Sequence, residues 1–300
     1  MWLPRFVCPE CATDVNEAGS DRWSCTQCGR FFEWERGIWR FLTATRGERL
    51  EPFVRQYRAV RQREGRRPSA PEYYRMLPSV PPDDPHAGDW QVRRETYHHL
   101  LRHVLASGPQ PLHVLDLGAG SGWLSHRLAG LGHLVVAVDA IDDEVDGLGA
   151  AHHYPAKFGV VQADFNAVPF AEGQFDLVVF NGSLHYAPDA EATLARAHRL
   201  LAPGGALVVM DSPMFRADRD GRAMLQDTFR RFVLDCGITD VVRPGIGYLT
   251  FAMLEVIAAK LDLQPQFFAS RGPLSWRVRR NVARVRLRRA PAAFGLWVAR

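Results

Sequence analysis

A chain of 300 residues, 47% hydrophobic and 23% charged, has room for one large domain and a small one and has an ordinary globular composition. No apolar run reaches the roughly 18 residues of a membrane span, and the opening MWLPRFVCPE lacks a basic flank followed by an apolar stretch, so a cytoplasmic protein is expected. The net charge of +4 is uneven: residues 271–300 hold nine Arg and no Asp or Glu, which leaves the rest of the chain at −5, a mildly acidic body before a basic tail.

The first element in the chain is a clip. CPECATDVNEAGSDRWSCTQCGR carries Cys8, Cys11, Cys25 and Cys28 as two C-x-x-C pairs with thirteen residues between them; the fifth cysteine, Cys236, stands alone. In a reducing compartment such pairs are metal ligands rather than disulfides. Four thiolates close a tetrahedron around Zn2+ and leave no open coordination position, so the expected zinc is structural. It supplies folding free energy that so small a unit cannot draw from its own core. GRFFEWERGIWRFL then reads as a strand, a turn at Glu35-Arg36-Gly37 and a second strand.

Residues 8–42 resemble the zinc-ribbon family that serves as activator subunit of tRNA and protein methyltransferases, through C-x-x-C-G, an aromatic pair and a G-I-x-x-F-L ending. The resemblance implies a scaffold and protein-interaction element over residues 1–45. RNA contact is the alternative, although residues 5–42 are not markedly basic.

Residues 46–88 form a lid or linker. EPFVRQYRAVRQREGRRPSAPEYYRMLP (51–78) carries Tyr57, Arg61, Glu64, Tyr73 and Tyr74, and reads either as a cover over a pocket or as a solvated basic helix with a Pro-rich tether. A helix over roughly 89–106 follows. Its Tyr97, His98, His99 and His103 read as surface and packing residues, not metal ligands.

LHVLDLGAGSGWLSHRLAGLGHLVVAVDA (112–140) reads as a strand over 113–117, a tight loop, a helix over about 123–129 and a second strand ending in Asp139. This is a βαβ unit of the nucleoside-binding kind. A dinucleotide fingerprint G-x-G-x-x-G would need glycine at position 123, where Trp123 stands. The pattern is instead D-x-G-x-G-x-G, with Asp116 just before the loop. A carboxylate repels a pyrophosphate but attracts the ammonium of a methionine group, which points to S-adenosylmethionine (SAM). Asp139 can accept both ribose hydroxyls. After a third strand, Asp164 can accept from the adenine amino group while Phe165 covers the ring. FDLVVFNGSLHYAPD is a fourth strand with Asn181 at its C-terminal end; AEATLARAHRLLAPGG is an amphipathic helix, and ALVVMDSPM a fifth strand. Helices over 220–236 and 250–261 and strands over 263–270 and 293–300 complete the pattern. Between those last strands, 274–290 is a basic amphipathic helix with Val278, Val282 and Val285 in one stripe.

This order of elements resembles the class I SAM-dependent methyltransferases, especially the group that includes quinone-biosynthesis methyltransferases, over about residues 88–215. The resemblance implies an α/β, Rossmann-like, seven-stranded mostly parallel sheet with helices on both faces, in a domain over 89–300. It implies Asp116, Gly118, Ala119, Gly120 and Gly122 at the methionine end of SAM, Asp139 and Ala140 at the ribose, Asp164 and Phe165 at the adenine, and Asn181 along the methionine side. Ligands of such sheets bind beyond the C-terminal ends of the strands, so His185 and Tyr186 are expected near the transferred methyl. His185 is either a general base or a residue that only shapes the pocket, because methyl transfer can run on proximity and orientation.

Methyl transfer to a small-molecule acceptor is the expected activity. An RNA methyltransferase is the alternative, since bacterial rRNA guanine methyltransferases also place a zinc ribbon before this fold. The N-P-P-Y or D-P-P-Y motif of adenine amino methylation is absent, because position 181 begins N-G-S-L. A non-catalytic scaffold is a third reading, opposed by the intact Asp116, loop glycines, Asp139 and Asp164. Helix 274–290 can pack on the sheet, lie on RNA phosphates or lie on an anionic membrane surface.

Overall fold

The structure is a computed structural model that describes residues 2–66, 70–106, 111–237 and 240–300. Residues 67–69 of the lid or linker segment lie outside the described residues.

The cysteine-rich start folds as an antiparallel meander: β1 (Val15–Glu17), β2 (Arg22–Cys25), β3 (Phe31–Glu35) and β4 (Ile38–Arg40). The β3–β4 turn is a two-residue loop in which Arg36 and Gly37 both have positive φ, 51° and 82°. Such a turn matches the twist of a hairpin and favours glycine at its second position.

Three helices follow: α1 (Ala44–Arg63), α2 (Pro71–Met76) and α3 (Ala87–Leu100), the last running into a π turn over Leu101–Leu105. The histidines of this stretch pack as the sequence suggests, with the rings of His99 and His103 stacked on Phe268. Then come β5 (His113–Leu117), α4 (Trp123–Gly130), β6 (Leu134–Asp139), β7 (Gly159–Gln162), β8 (Phe175–Asn181), α5 (Ala190–Leu200) and β9 (Leu201–Met210). The chain ends with β10 (Met214–Phe215), α6 (Asp218–Cys236), β11 (Leu249–Thr250), α7 (Phe251–Lys260), β12 (Pro265–Ser270), α8 (Leu274–Leu287) and β13 (Phe294–Ala299).

The expected seven-stranded, mostly parallel sheet is not what forms. Among the described residues the main sheet has eleven strands in the order β1-β2-β3-β4-β7-β6-β5-β8-β9-β13-β12. It is mixed: pairings from β4 through β7, β6, β5 and β8 to β9 are parallel, and those of the meander and of β13 with β9 and β12 are antiparallel. The reason lies at β7, whose outer edge would otherwise expose unpaired backbone groups. β4 covers that edge through Trp39↔Val161 and Arg40↔Gln162. The aromatic residues of the ribbon reinforce the join. Phe6 stacks on Phe41 and Phe41 on Phe32, with ring centroids 4.7 and 4.5 Å apart, and Phe6 forms a β-bridge with Phe170.

The central strands read as unbroken Val/Leu/Ala runs because helices cover both faces. The order reverses between β5 and its neighbours β6 and β8, which opens a crevice beyond their C-terminal ends. α8 does not bury its apolar stripe on the sheet. Leu274, Val278, Val282 and Val285 are 53–80% exposed, while Trp276 and Arg280 face inward, the guanidinium 4.0 Å from the Trp276 ring centroid.

Candidate functional site

The crevice is built on the β5–α4 loop. Gly118, Gly120 and Gly122 all have positive φ, at 73°, 54° and 76°. At Gly118 a Cβ would stand 2.3 Å from the Cβ of Ser183, so two requirements fix glycine there. The Gly118 and Ala119 amides donate to the Val138 carbonyl at 2.8 and 3.0 Å. The Gly120 amide donates to Asp139 Oδ2 at 2.8 Å, and the Ile141 amide to Asp139 Oδ1 at 2.9 Å. The carboxylate at the end of β6 thus ties the loop to the neighbouring strand. Burial pushes its pKa up to about 6, against the pull of those amides.

Asp116 is placed otherwise than its sequence position suggests. It is fully buried, and Oδ2 accepts from Ser125 Oγ of α4 at 2.8 Å. Oδ1 has no hydrogen-bond partner among the described residues, and burial drives the pKa up to about 7. The side chain does not line the crevice but sits behind the glycine loop.

The crevice encloses about 650 Å3. Gly118–Ser121, Asp139–Ile141, Asp164, Phe165 and Asn181 line it, bringing most of the sequence-selected residues together. Asn181 lines it, and its Oδ1 is buried without a partner among the described residues. Tyr186 lines it too. His185 does not. It faces a second cavity of about 430 Å3, where its Nδ1 lies 3.2 Å from Ser212 Oγ. Burial, helped by the charge of Arg93, pushes its pKa down to about 3, so the imidazole is neutral. The two cavities share a common wall to which Phe53, Tyr57, Arg93, Gly182, Tyr186 and Arg243, among others, contribute.

α1 roofs both spaces. Arg46, Arg49, Phe53, Tyr57 and Arg61, at helical spacing, line the larger one, and the Phe53 and Tyr57 rings meet Tyr186 at 5.3 and 6.3 Å. Ion pairs fasten the helix to the loop after β6: Arg58 to Asp143 at 2.9 Å and Arg61 to Asp146 at 2.9 Å. Its first turn is fastened at the other end. Glu10, between Cys8 and Cys11, accepts from Thr43 Oγ1 at 2.7 Å and from Arg46 at 3.2 Å, and Arg46 also bonds Asp164 at 3.2 Å. Sequence reasoning missed Arg46, Arg58, Asp143 and Asp146. Only the i, i+3/i+4 recurrence of Arg and aromatic residues on α1 hinted at them.

The four cysteine sulfurs lie within 4.8 Å of one another. Cys8 and Cys28 stand 3.7 Å apart and Cys11 and Cys25 3.4 Å. A tetrahedron with metal–sulfur bonds near 2.3 Å has edges of about 3.8 Å, so the set fits one zinc ion. Thr13 Oγ1 lies 3.1 Å from the Cys11 sulfur and 3.2 Å from that of Cys25, a hydroxyl able to steady them.

Comparison with known proteins bears on this geometry. Residues 115–209 match the family model described as methyltransferase domain. An arsenite methyltransferase of Aquipseudomonas alcaligenes is 34% identical over 124 residues, which cover 37% of this chain and 35% of that protein. A malonyl-[acyl-carrier protein] O-methyltransferase of Hahella chejuensis is 34% identical over 100 residues, covering 33% of this chain and 36% of that protein. An uncharacterized methyltransferase of Mycobacterium tuberculosis is 36% identical over 114 residues, 38% of this chain and 56% of that protein. The chain therefore spans between about a third and just over half of these relatives' length. Among solved structures, the magnesium protoporphyrin IX methyltransferase of Synechocystis with bound SAH aligns with a TM-score of 0.53 at 17% identity, covering 83% of this chain and 98% of that one. The fold is the Rossmann-like α/β fold of methyltransferases. Residues 115–209 are similar to a methyltransferase domain.

Proposed function

We propose that the protein transfers a methyl group from SAM to a small-molecule acceptor, with the four-cysteine ribbon as a zinc-held scaffold for the lid helix. The observation that carries the reading is the pair of joined cavities beneath α1, one at the strand-order switch and one beside it with a largely apolar wall. The residues of the larger cavity fit SAM. Asp139 would accept from the ribose hydroxyls, Asp164 from the adenine amino group, and Phe165 would lie on the ring. Asn181 offers its unpartnered oxygen along the methionine side. Asp116 would act through the loop it braces. Bound SAM supplies an electrophilic methyl group. The chain's own residues orient the acceptor and keep water out, with Tyr57, Phe53 and Tyr186 as the wall between the two spaces. His185 and Tyr186 are assigned to that wall and to the floor of the second cavity. Isothermal calorimetry with S-adenosylhomocysteine (SAH) tests the cofactor reading: saturable binding at one site is expected, and no binding at millimolar ligand would refute it.

The ribbon reading has its own consequence. Arg46 joins Glu10 of the first cysteine knuckle to Asp164, so the clip should help hold the adenine end. Glu10→Ala is expected to weaken SAH binding by roughly threefold to tenfold, in keeping with loss of a partly buried charge-assisted contact, while zinc content stays at one per chain. Equal affinity in wild type and variant would remove the coupling.

A second reading concerns α8. Its exposed Leu274, Val278, Val282 and Val285 lie beside exposed Arg277, Arg279, Arg284, Arg286 and Arg288. Phosphate contact needs no exposed valines, so this face favours an anionic membrane surface over RNA. We infer a peripheral contact made from the cytoplasm; no helix among the described residues is long and apolar enough to cross a membrane. Sedimentation with phosphatidylglycerol vesicles should exceed that with phosphatidylcholine, and Val278→Asp with Val282→Asp should cut it roughly tenfold or more. Unchanged sedimentation would count against the contact.

A further inference from the structure

Asp211 is a residue that neither the sequence motifs nor the fold comparison single out. It stands one position past the C-terminal end of β9, with φ at 50°, in the left-handed region that few residues other than Gly, Asn and Asp adopt. It is 6% exposed and lines the second cavity. Oδ1 accepts from Thr96 Oγ1 at 2.6 Å, and that hydroxyl lies 2.8 Å from Ser270 Oγ, which can donate to it in turn. Oδ2 has no partner among the described residues. One carboxylate oxygen is thus locked, and the other is buried and unpaired in a residue that lines the cavity. An unmatched buried carboxylate oxygen is costly, so a donor arriving with a ligand gains more here than at a surface.

The cations around this space divide into two kinds. Arg61 is paired with Asp146, and Arg66 with Glu64 and Asp89. Arg93 and Arg243 make no ion pair among the described residues. Arg93 lies 5.1 Å from the Trp90 ring centroid, and one of its nitrogens is 3.9 Å from where a Cβ of Gly182 would stand, at the junction of the two cavities. Among the described residues Arg243 donates only to the Leu225 carbonyl, at 3.5 Å. Much of the remaining lining is apolar, with the aromatic rings of Phe53, Tyr57, Tyr186 and Trp276 beside Val92 and Leu225, and with Gln56 and Thr228 as polar members.

We propose that the second cavity is the acceptor site, and that its ligand is a planar aromatic acid bearing an O–H or N–H. Asp211 takes that group's proton, and Arg93 and Arg243 hold the anionic substituent. The proposal rests on the reading of the larger cavity as the SAM site. In the transfer, the acceptor heteroatom forms a bond to the methyl carbon as the carbon–sulfur bond breaks. The electron pair of the broken bond stays on sulfur, and the acceptor's proton passes to Asp211 Oδ2 and from there to water. Of the other titratable side chains here, Glu64 and Asp89 are paired with Arg66, Tyr57 and Tyr186 have pKa values raised by burial, and His185 is held neutral with its Nδ1 at Ser212. Burial raises the pKa of Asp211, though Arg93 opposes this, which makes its ionised form a better proton acceptor than an ordinary surface carboxylate.

The test uses the full chain saturated with SAH. Binding of hydroxybenzoates and aminobenzoates is compared with that of their methyl-capped counterparts by ligand-observed NMR and calorimetry. The uncapped acids are expected to bind at least about tenfold more tightly. Asp211→Asn should erase that difference while leaving SAH affinity within twofold, and asparagine tolerates the left-handed backbone, so the variant should fold. Arg243→Gln should remove the preference for acids over the corresponding neutral amides. If no member of the set binds at millimolar concentration, or if Asp211→Asn keeps the preference, the acceptor assignment is wrong and the cofactor reading stands. If wild-type protein fails to bind SAH at all, the cofactor reading falls first and this inference with it.

Discussion

Asp139→Ala is expected to weaken SAH binding by roughly 10- to 100-fold, the size of a lost pair of hydrogen bonds to a charged acceptor. The side chain does two things. It holds the Gly120 and Ile141 amides at 2.8 and 2.9 Å, which sets the glycine loop against β6. In the proposed complex it also accepts from the ribose. Asp139→Asn keeps the shape but loses the charge and turns one amide contact into a donor facing a donor, so a loss near the lower end of that range is expected. The pH dependence carries a sign. Burial raises the Asp139 pKa to about 6 in the free protein, so below that pH the group is protonated and accepts poorly, and above it the carboxylate is formed. SAH affinity should therefore fall as pH drops through 6 and level off above 7. Because Asp116 titrates nearby, at about 7, the wild-type curve alone does not assign the step. Its loss in Asp139→Asn does, and a step that survives in the variant would assign it elsewhere.

Removing the metal from the ribbon should have the largest effect on stability. The meander β1–β4 has short strands of three to five residues, and so small a unit cannot repay its conformational entropy by burial alone. Structural zinc in such units contributes about 10 kcal/mol or more of apparent binding free energy at neutral pH. The ribbon here is also continuous with the main core: Phe6, Phe32, Trp39 and Phe41 pack with Phe170 and Phe175, and β4 covers β7. Losing the metal should therefore uncover the edge strand as well as melt the clip. Cys25→Ser, or treatment with a strong chelator, is expected to lower the melting temperature by about 10 °C or more and to promote aggregation through the β7 edge. SAH affinity should fall too, through the Glu10–Arg46–Asp164 contacts. A melting curve by circular dichroism, alongside metal content by mass spectrometry, checks this. Full stability at zero metal content would make the four-cysteine cluster incidental.

The elements built from local signals were readable in the sequence. The cysteine spacing, the hairpin turn at Arg36-Gly37, the D-x-G-x-G-x-G loop and the strand-end acids Asp139 and Asp164 each lie within a short window whose spacing carries its own physical reason. What escaped depended on distant pairing. The β4–β7 join rests on two residue pairs separated by more than a hundred positions, too little pattern to foresee, so the sheet came out larger and more mixed than expected. Asp116 shares its motif with a ligand-facing acid, yet nothing local says whether the side chain points to the crevice or beneath the loop toward Ser125. His185 lies in the turn after β8, where Ser183 lines the larger cavity, His185 the second and Tyr186 both, a division that the sequence spacing does not reveal. The valine stripe of α8 was plain from its period, but periodicity identifies an apolar face without saying what covers it. Asp211 had one available signal, an acid immediately past the end of a parallel strand, where ligands of such sheets bind.

The most direct test of methyl transfer to a small molecule is to incubate the purified protein with methyl-labelled SAM and an extract of the cells it comes from, then to fractionate the label. The account predicts label in a solvent-extractable, low-mass fraction that resists ribonuclease, and loss of that label in Asp139→Ala. Label found in RNA and released by ribonuclease would contradict it, and would make the ribbon and the arginines of α8 the substrate-binding surface instead.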